Sequence, residues 1–280
     1  GRKLASTGKK DVNQEQTLII NHPDVRRMLL LQKAVTEGSL SLVFLTAKYH
    51  DYSVSHTDLE QREKYKLLLE ILTPVVKTYP SEMGKVAVDN GVQVLGGYGF
   101  CSDYILQQYL RDIRIFSIYE GTTGIQSQDL LGRKVSMENG KALQLLSEEI
   151  TKSIKASMAH ETLTPYAKKL GEKLELTQKV LQSLMGYAMK GDYERFLADA
   201  TPFMEFFSNI IVGWLWLDMG REAQQAIASG ATEHSTEFYE SKIHTMEFYF
   251  TYELPKTTGL AEIIMNGKSL TIGADKKVFI

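Results

Sequence analysis

With one cysteine, Cys101, among 280 residues, the chain can form no internal disulfide and offers no cysteine cluster for a metal. The thiol reads as a small buried residue rather than a nucleophile. Neither sign of charge is in excess: the formal net charge of -2 gives no electrostatic ground for nucleic acid as a partner. No apolar run reaches the ~18 residues that span a bilayer. The most apolar stretch, Phe203 to Leu217, is shorter and holds Glu205 and Asn209, so it reads as the buried central helix of a bundle. No signal peptide or transmembrane span opens the chain, whose first residues are basic and polar. His22, His50, His56, His160, His234 and His244 form no pair at metal-ligand helical spacing, and no metal is expected.

What is present is helical patterning in an ordinary globular composition, 43% hydrophobic and 24% charged, long enough for two compact domains. Residues 1–20 read as a flexible lead-in. Asn21 as a cap with Pro23 in the first turn starts a long amphipathic helix carrying Met28, Leu31, Val35, Leu42 and Leu45. Thr57 and Glu60 form a capping-box pattern for a second helix to about Leu72. Pro74 and Pro80 bend or interrupt the path, and Ser81 caps a third. With a helix after Thr122, this predicts a four-helix up-and-down bundle over 21–135. Polar Ser136 to Gly140 marks a boundary. A second helical bundle follows over 136–253, with helices through Leu143–Ile154, Tyr166–Ala188 and Phe203–Leu217, and a last one near 236–252. In the tail, 254–280, Asn266-Gly267 between Ile263-Ile264-Met265 and Leu270-Thr271-Ile272 predicts a short β-hairpin. The fold class is therefore all-α with a short β-hairpin at its end.

Chemical information concentrates between Val86 and Gln126. Gly96, Gly97 and Gly99 let another chain or a ligand approach the backbone. Helical spacing then places Ile105, Tyr109 and Ile113 on one face. In Ser117-Ile118-Tyr119-Glu120-Gly121-Thr122-Thr123-Gly124 a single carboxylate stands between an apolar run and a glycine. Held in a partly apolar pocket, Glu120 would be a better proton acceptor than a solvated glutamate, with room for substrate beside Gly121. Thr122 and Thr123 offer donors near a helix N-terminus, a natural place for phosphate. A glutamate at a loop-to-helix junction equally serves as a cap or a dipole partner, and residues alone leave both readings open.

Three motifs in order, Gln93-Val94-Leu95-Gly96-Gly97-Tyr98-Gly99-Phe100, Arg111-Asp112-Ile113-Arg114-Ile115 and Ile118-Tyr119-Glu120-Gly121-Thr122, resemble the C-terminal helical domain of the acyl-CoA dehydrogenases. These are flavoproteins that desaturate acyl thioesters between the α and β carbons. His22-Pro23-Asp24-Val25-Arg26-Arg27-Met28-Leu29 is similar to the larger members, which carry an added C-terminal region. The resemblance implies FAD as cofactor and acyl-CoA as substrate, with Glu120 as the base for the α-proton and its backbone N–H as a donor to the thioester carbonyl. Glu120 and Gly121 then meet substrate. Gln93 and Gly97 match contacts to the ADP half of a flavin bound mainly by a neighbouring subunit, and Thr122 a contact near the flavin phosphates. Gly124 matches a further flavin position, where many relatives carry a longer polar side chain. Ile105 stands where proline is common. Arg111, Asp112 and Arg114 read as a buttressing ion network.

The resemblance further implies that the chain is the C-terminal part of a longer protein, lacking an N-terminal helical domain and a middle β-domain, and inactive by itself. It implies a homo-oligomer, with electron-transfer flavoprotein as the electron acceptor. Cytoplasmic location is expected, although a targeting sequence would lie upstream. Two alternatives stand beside this reading: a non-catalytic helical assembly module, and an acyl-CoA oxidase-like member.

Overall fold

The structure, a computed structural model, describes residues 15–268 and 270–279. The described residues are helical or irregular, with no strand among them. Of the expected lead-in, 1–14 lies outside the described residues; 15–18 are irregular and Ile19–Asn21 is a single 3-10 turn.

Helix α1, Pro23–Ser55, starts with proline at the first helical position, where its missing N–H costs nothing, and is capped by His22 rather than the expected Asn21. Its buried residues Met28, Leu31, Val35, Gly38, Leu42, Thr46 and Tyr49 recur every three or four positions and form one face. By length and composition α1 could cross a membrane, with a window of mean hydropathy 1.3. Here it packs along α2, Leu59–Leu95. The cap of α2 is Asp58, whose carboxylate accepts from Glu60 N at 2.8 Å, in place of the expected Thr57.

The helices expected separately at 57–72 and from Ser81 are one. Pro74 and Pro80 lie inside α2, and Ser81 is a buried interior residue donating to Lys77 O at 2.5 Å. Proline in a helix interior costs about 3 kcal/mol. Leu67, Leu68, Ile71, Leu72 and Val75 are at most 4% exposed against α1 and its neighbours, and each such burial stabilises by about 1.5–3 kcal/mol. Packing therefore outweighs local propensity, and α2 stays continuous.

Short helices α3 (Gly97–Phe100), α4 (Leu106–Asp112) and α5 (Thr123–Asp129) follow, then a π-turn at Leu130–Lys134. Beyond it run α6 (Lys141–Met158), α7 (Thr164–Ala188), α8 (Tyr193–Ala198), α9 (Ala200–Ser229), α10 (Thr236–Phe248) and α11 (Lys256–Met265). Helix α9 is the centre. Every residue from Phe206 to Leu217 is buried, because α1, α2, α6, α7, α10 and α11 all pack on it. The tryptophan N–H groups are satisfied: Trp216 Nε1 donates to Ala34 O at 3.1 Å, and Trp214 Nε1 to Ser153 Oγ at 2.7 Å. Core side chains from Leu31 to Ile264 form one cluster, continuous across residue 136.

The expected β-hairpin is not formed. Ile263, Ile264 and Met265 end α11, whose Thr257, Ala261 and Ile264, spaced by four and three, are buried against α7 and α9. Asn266-Gly267 does turn the chain, with Gly267 at φ 73, but Leu270–Ile272 continues as turn rather than strand, and Ser269 lies outside the described residues.

Phe206, 0% exposed at the middle of α9, tests this account. Phe206→Ala should lower unfolding free energy by about 3–5 kcal/mol in urea titration. A loss under ~1 kcal/mol would mean that α9 is not the packed centre.

Candidate active site

The motif stretch lies over the C-terminal half of α2. Gly99 lets α3 press on that helix: a Cβ there would meet Val92 O at 2.5 Å. Ile113 reaches down to Gly84, where a Cβ would lie 2.8 Å from its Cδ1, and Leu106 sits against Gly91. The outer face of this layer is apolar. Of the face that carries Ile105, Tyr109 and Ile113, Ile105 is 57% exposed and Tyr109 50%, and only Ile113 is drawn in. Phe116, Ile118, Tyr119 and Ile125 are exposed as well. Cys101 is also exposed, contrary to the expectation of a buried thiol, because α3 ends at the surface.

Two consecutive left-handed residues present the carboxylate. Glu120 has φ 51 and Gly121 φ 97. The first is strained for a residue with a side chain, at a cost of about 1–3 kcal/mol, and such strain persists only when neighbours fix it. Lys77 from α2 does so: its Nζ donates to Phe116 O at 2.8 Å and to Gly121 O at 2.5 Å, one carbonyl on each side of Glu120. Gln126 Nε2 donates to Glu120 O at 3.4 Å, and a Cβ on Gly121 would collide with that same amide at 2.6 Å. Only glycine fits at 121.

A second polar group holds the loop's ends. Thr123 Oγ1 donates to Glu82, Lys85 pairs with Glu82 at 2.5 Å, and Arg114 Nη1 donates to Ser117 Oγ at 2.6 Å. Burial pushes the Glu82 carboxyl up, but hydrogen bonds from Lys85 and Thr123, with the charges of Lys85 and Arg114, hold it net below the usual glutamate range. The expected ion network of Arg111, Asp112 and Arg114 is not formed among the described residues. Asp112 instead accepts from Gln108 at 2.7 Å, and Arg114 serves Ser117. Asp112 stands one residue from Arg111 and two from Arg114, spacings at which side chains on a helical turn do not face one another. Lys77 and Glu82 escaped the sequence reading because their partners are about forty residues away and the prolines beside them read as a break.

Glu120 itself is exposed, and none of the larger cavities is lined by it. The partly apolar pocket expected around it is not closed by this chain. Thr122 is exposed and caps α5, its Oγ1 accepting from Ile125 N at 3.4 Å. That helix has only seven residues, a weak dipole for the phosphate expected there. Gly124 adds no side chain; a Cβ would lie 4.0 Å from Thr122 Oγ1. Gln93 and Gly97 are exposed at the far end of α2, and a Cβ on Gly97 would meet nothing within 4 Å. Sixteen residues separate Gln93 from Lys77, about 24 Å of helix at 1.5 Å per residue. Gln93 and Gly97 are thus not gathered with Glu120, Gly121, Thr122 and Gly124. The two groups are separate, accessible edges on which a ligand completed by other chain segments can rest.

Such an all-helical unit, with motif residues presented at its margin, is the class of structure found as the C-terminal half of large acyl-CoA-processing flavoproteins. Residues 9–134 match the family described as "Acyl-CoA dehydrogenase, C-terminal domain", and 146–275 the one described as "Acetyl-CoA dehydrogenase C-terminal like". The chain belongs to the acyl-CoA dehydrogenase family. It is 32% identical over 264 residues to the broad-specificity linear acyl-CoA dehydrogenase of Mycobacterium tuberculosis, covering 92% of this chain and 43% of that protein. It is 35% identical over 237 residues to 3-methylmercaptopropionyl-CoA dehydrogenase of Ruegeria pomeroyi, covering 84% of this chain and 40% of that one. The chain thus spans less than half the length of these relatives. Its fold matches that of an acyl-CoA dehydrogenase from Bacillus anthracis solved with FAD, at a TM-score of 0.67 and 20% identity over 95% of this chain and 46% of the other.

Lys77→Met removes the donor shared by the two carbonyls. Amides in 117–122 should then exchange with solvent roughly fivefold faster by mass spectrometry while the global fold persists; unchanged exchange would show that Lys77 does not hold the loop. Because the folded Glu82 carboxyl is depressed, its contribution to stability is fully present above the usual glutamate range and is lost as pH falls through the folded value. The stability gap between the native chain and Glu82→Gln should accordingly shrink on acidification from pH 6 to ~3, measured by urea titration at each pH.

Proposed function

We propose that this chain is the helical wall of an FAD-dependent acyl-CoA dehydrogenase that desaturates acyl-CoA at the α,β position, with Glu120 as the base that takes the α-proton. The observation that carries it is the presentation of Glu120: a strained left-handed pair, Glu120-Gly121, clamped on both sides by Lys77 and bordered by exposed Phe116, Ile118 and Tyr119. A fixed carboxylate at the edge of an apolar surface becomes a desolvated base once a second surface closes over it. Gly121 leaves the acyl thioester room to approach.

The residues present fit a flavin as contact edges rather than as an enclosing pocket. Thr122 keeps its O–H free to donate while its oxygen caps α5; Gln93 and Gly97 offer an amide and open backbone; Gly124 offers backbone only. FAD, when bound, supplies the two-electron acceptor. The separation along α2 supports a shared arrangement, in which Gln93 and Gly97 serve a partner's cofactor in a homo-oligomer. Electron-transfer flavoprotein as final acceptor and a cytoplasmic location belong to the same reading. An exposed Glu120 that lines none of the cavities described favours a complementary statement for the isolated chain: by itself it is an assembly module without turnover.

In the whole protein, Glu120→Gln should lower desaturation by a factor of ~10² to 10⁴ and abolish α-proton exchange while flavin stays bound. Turnover retained across several acyl-CoA lengths would overturn the assignment. The isolated chain should purify colourless and the whole protein yellow, and dye reduction in nitrogen against air separates dehydrogenase from oxidase behaviour.

A further inference from the structure

Between α2, α5 and α9, directly behind the Glu120 loop, lies a cavity of about 340 Å³. Its walls include Thr78, Met83, Thr123, Met204, Ser208 and Asn209. Its lining is mainly apolar, but the hydroxyls of two residues on its wall have no hydrogen-bond partner, and a space with such polar partners can hold water. Thr78 is 4% exposed and its Oγ1 has no hydrogen-bond partner. Other threonines inside these helices bond back to the carbonyl four residues earlier, as Thr73 does to Leu69 at 2.8 Å, whereas Thr78 does not. Its neighbour Tyr79, 3% exposed, lies beside the Tyr249 hydroxyl, which donates to Asn209 O at 3.0 Å, and the Tyr79 hydroxyl itself has no partner in hydrogen-bonding geometry. Ser208 reaches only the sulfur of Met204, at 3.4 Å, a weak acceptor. Glu82, also on the wall, uses one oxygen for Thr123 and the other for Lys85, and each carboxylate oxygen keeps a further lone pair.

We propose that this chamber binds a cluster of ordered water molecules that bridges Thr78 Oγ1 to the Glu82–Thr123 pair, which makes Thr78 a positioning residue for the loop presenting Glu120. Neutral water fits better than a charged ligand. Glu82 is already neutralised by Lys85, and Glu205, the other carboxylate on the wall, is exposed at the mouth. The link to the loop is covalent and short. Thr123 Oγ1 lies 3.5 Å from Ser117 O, so one hydroxyl on the chamber wall touches both ends of the seven-residue segment that holds Glu120 at its centre. Water on the chamber side fixes that hydroxyl's neighbours, and removing the Thr78 hydroxyl takes away one of the network's two anchors on α2, leaving Glu82 as the other. The hydration part stands independently of chemistry at Glu120; only the consequence for catalysis rests on the proposed function.

The test uses the whole protein. Its crystal structure should show ordered water in the chamber within hydrogen-bond distance of Thr78 Oγ1. Thr78→Val, which keeps the shape and removes the hydroxyl, should speed amide exchange in 118–124 roughly fivefold, and Thr78→Ser should restore protection. If Thr78→Val does not fold, Tyr79→Phe puts the same question to the second stranded hydroxyl. A dry chamber, an organic molecule filling it, or exchange in Thr78→Val equal to that of the native protein each overturns the proposal. Failure of Glu120→Gln to abolish turnover would instead overturn the functional reading and leave the water result standing.

Discussion

Helix α9 sets the constraint that the rest of the structure answers to. A helix apolar on every side cannot sit on a surface, because any face left in water forfeits about 25 cal/mol per Å². Twelve consecutive buried residues, Phe206 to Leu217, therefore require helices all round, and the chain supplies them from both halves: α1 and α2 from the first, α6, α7, α10 and α11 from the second. That requirement keeps α2 in one piece through two prolines and draws the 256–265 segment into a helix instead of a strand. Several polar groups admitted to this core are paired, as with Trp214, Ser153 and Asp218, where Ser153 Oγ donates to Asp218 at 2.9 Å, whereas the hydroxyls of Thr78 and Tyr79 are not.

The continuity of α2 has a direct consequence for the site. Lys77, Glu82 and Lys85 project from successive turns of one rigid rod, so the carbonyls of Phe116 and Gly121 and the hydroxyls of Ser117 and Thr123 are held against a common reference. Backbone strain at Glu120 is tolerable for that reason. Preorganisation of this kind matters most for a general base, whose usefulness depends on geometry before acidity. The outer side of the loop is left apolar and open, which is how a surface completed by another part of a protein looks before it is covered.

Much of this was legible in the residues. Helical spacing located α1, α6, α7 and α9, although α9 runs well past the expected Leu217 to Ser229, and the motif order around Glu120 identified the family that the sequence comparisons then supported. The errors share a cause. Pro74, Pro80 and Asn266-Gly267 are strong local signals, and each was read for its local meaning. Around the two prolines and across the 256–265 segment, buried side chains several helices away decide the outcome, by more free energy than the local preference commands. The apolar face of Ile105 and Tyr109 was legible as a face but not its exposure, since periodicity reports which residues share a side and says nothing of what covers it.

By itself the amino-acid order determined the helical character, the apolar central segment and the motif in which Glu120 stands, because spacing, composition and short motifs are properties of neighbouring residues. Only the tertiary structure decided that Lys77 grips the turn around Glu120, that the Thr78 and Tyr79 hydroxyls are left without partners beside a chamber, and that Gln93 stands far along α2 from the carboxylate. Those are relations between positions tens of residues apart. They exist only once hydrophobic burial has fixed which helices lie side by side.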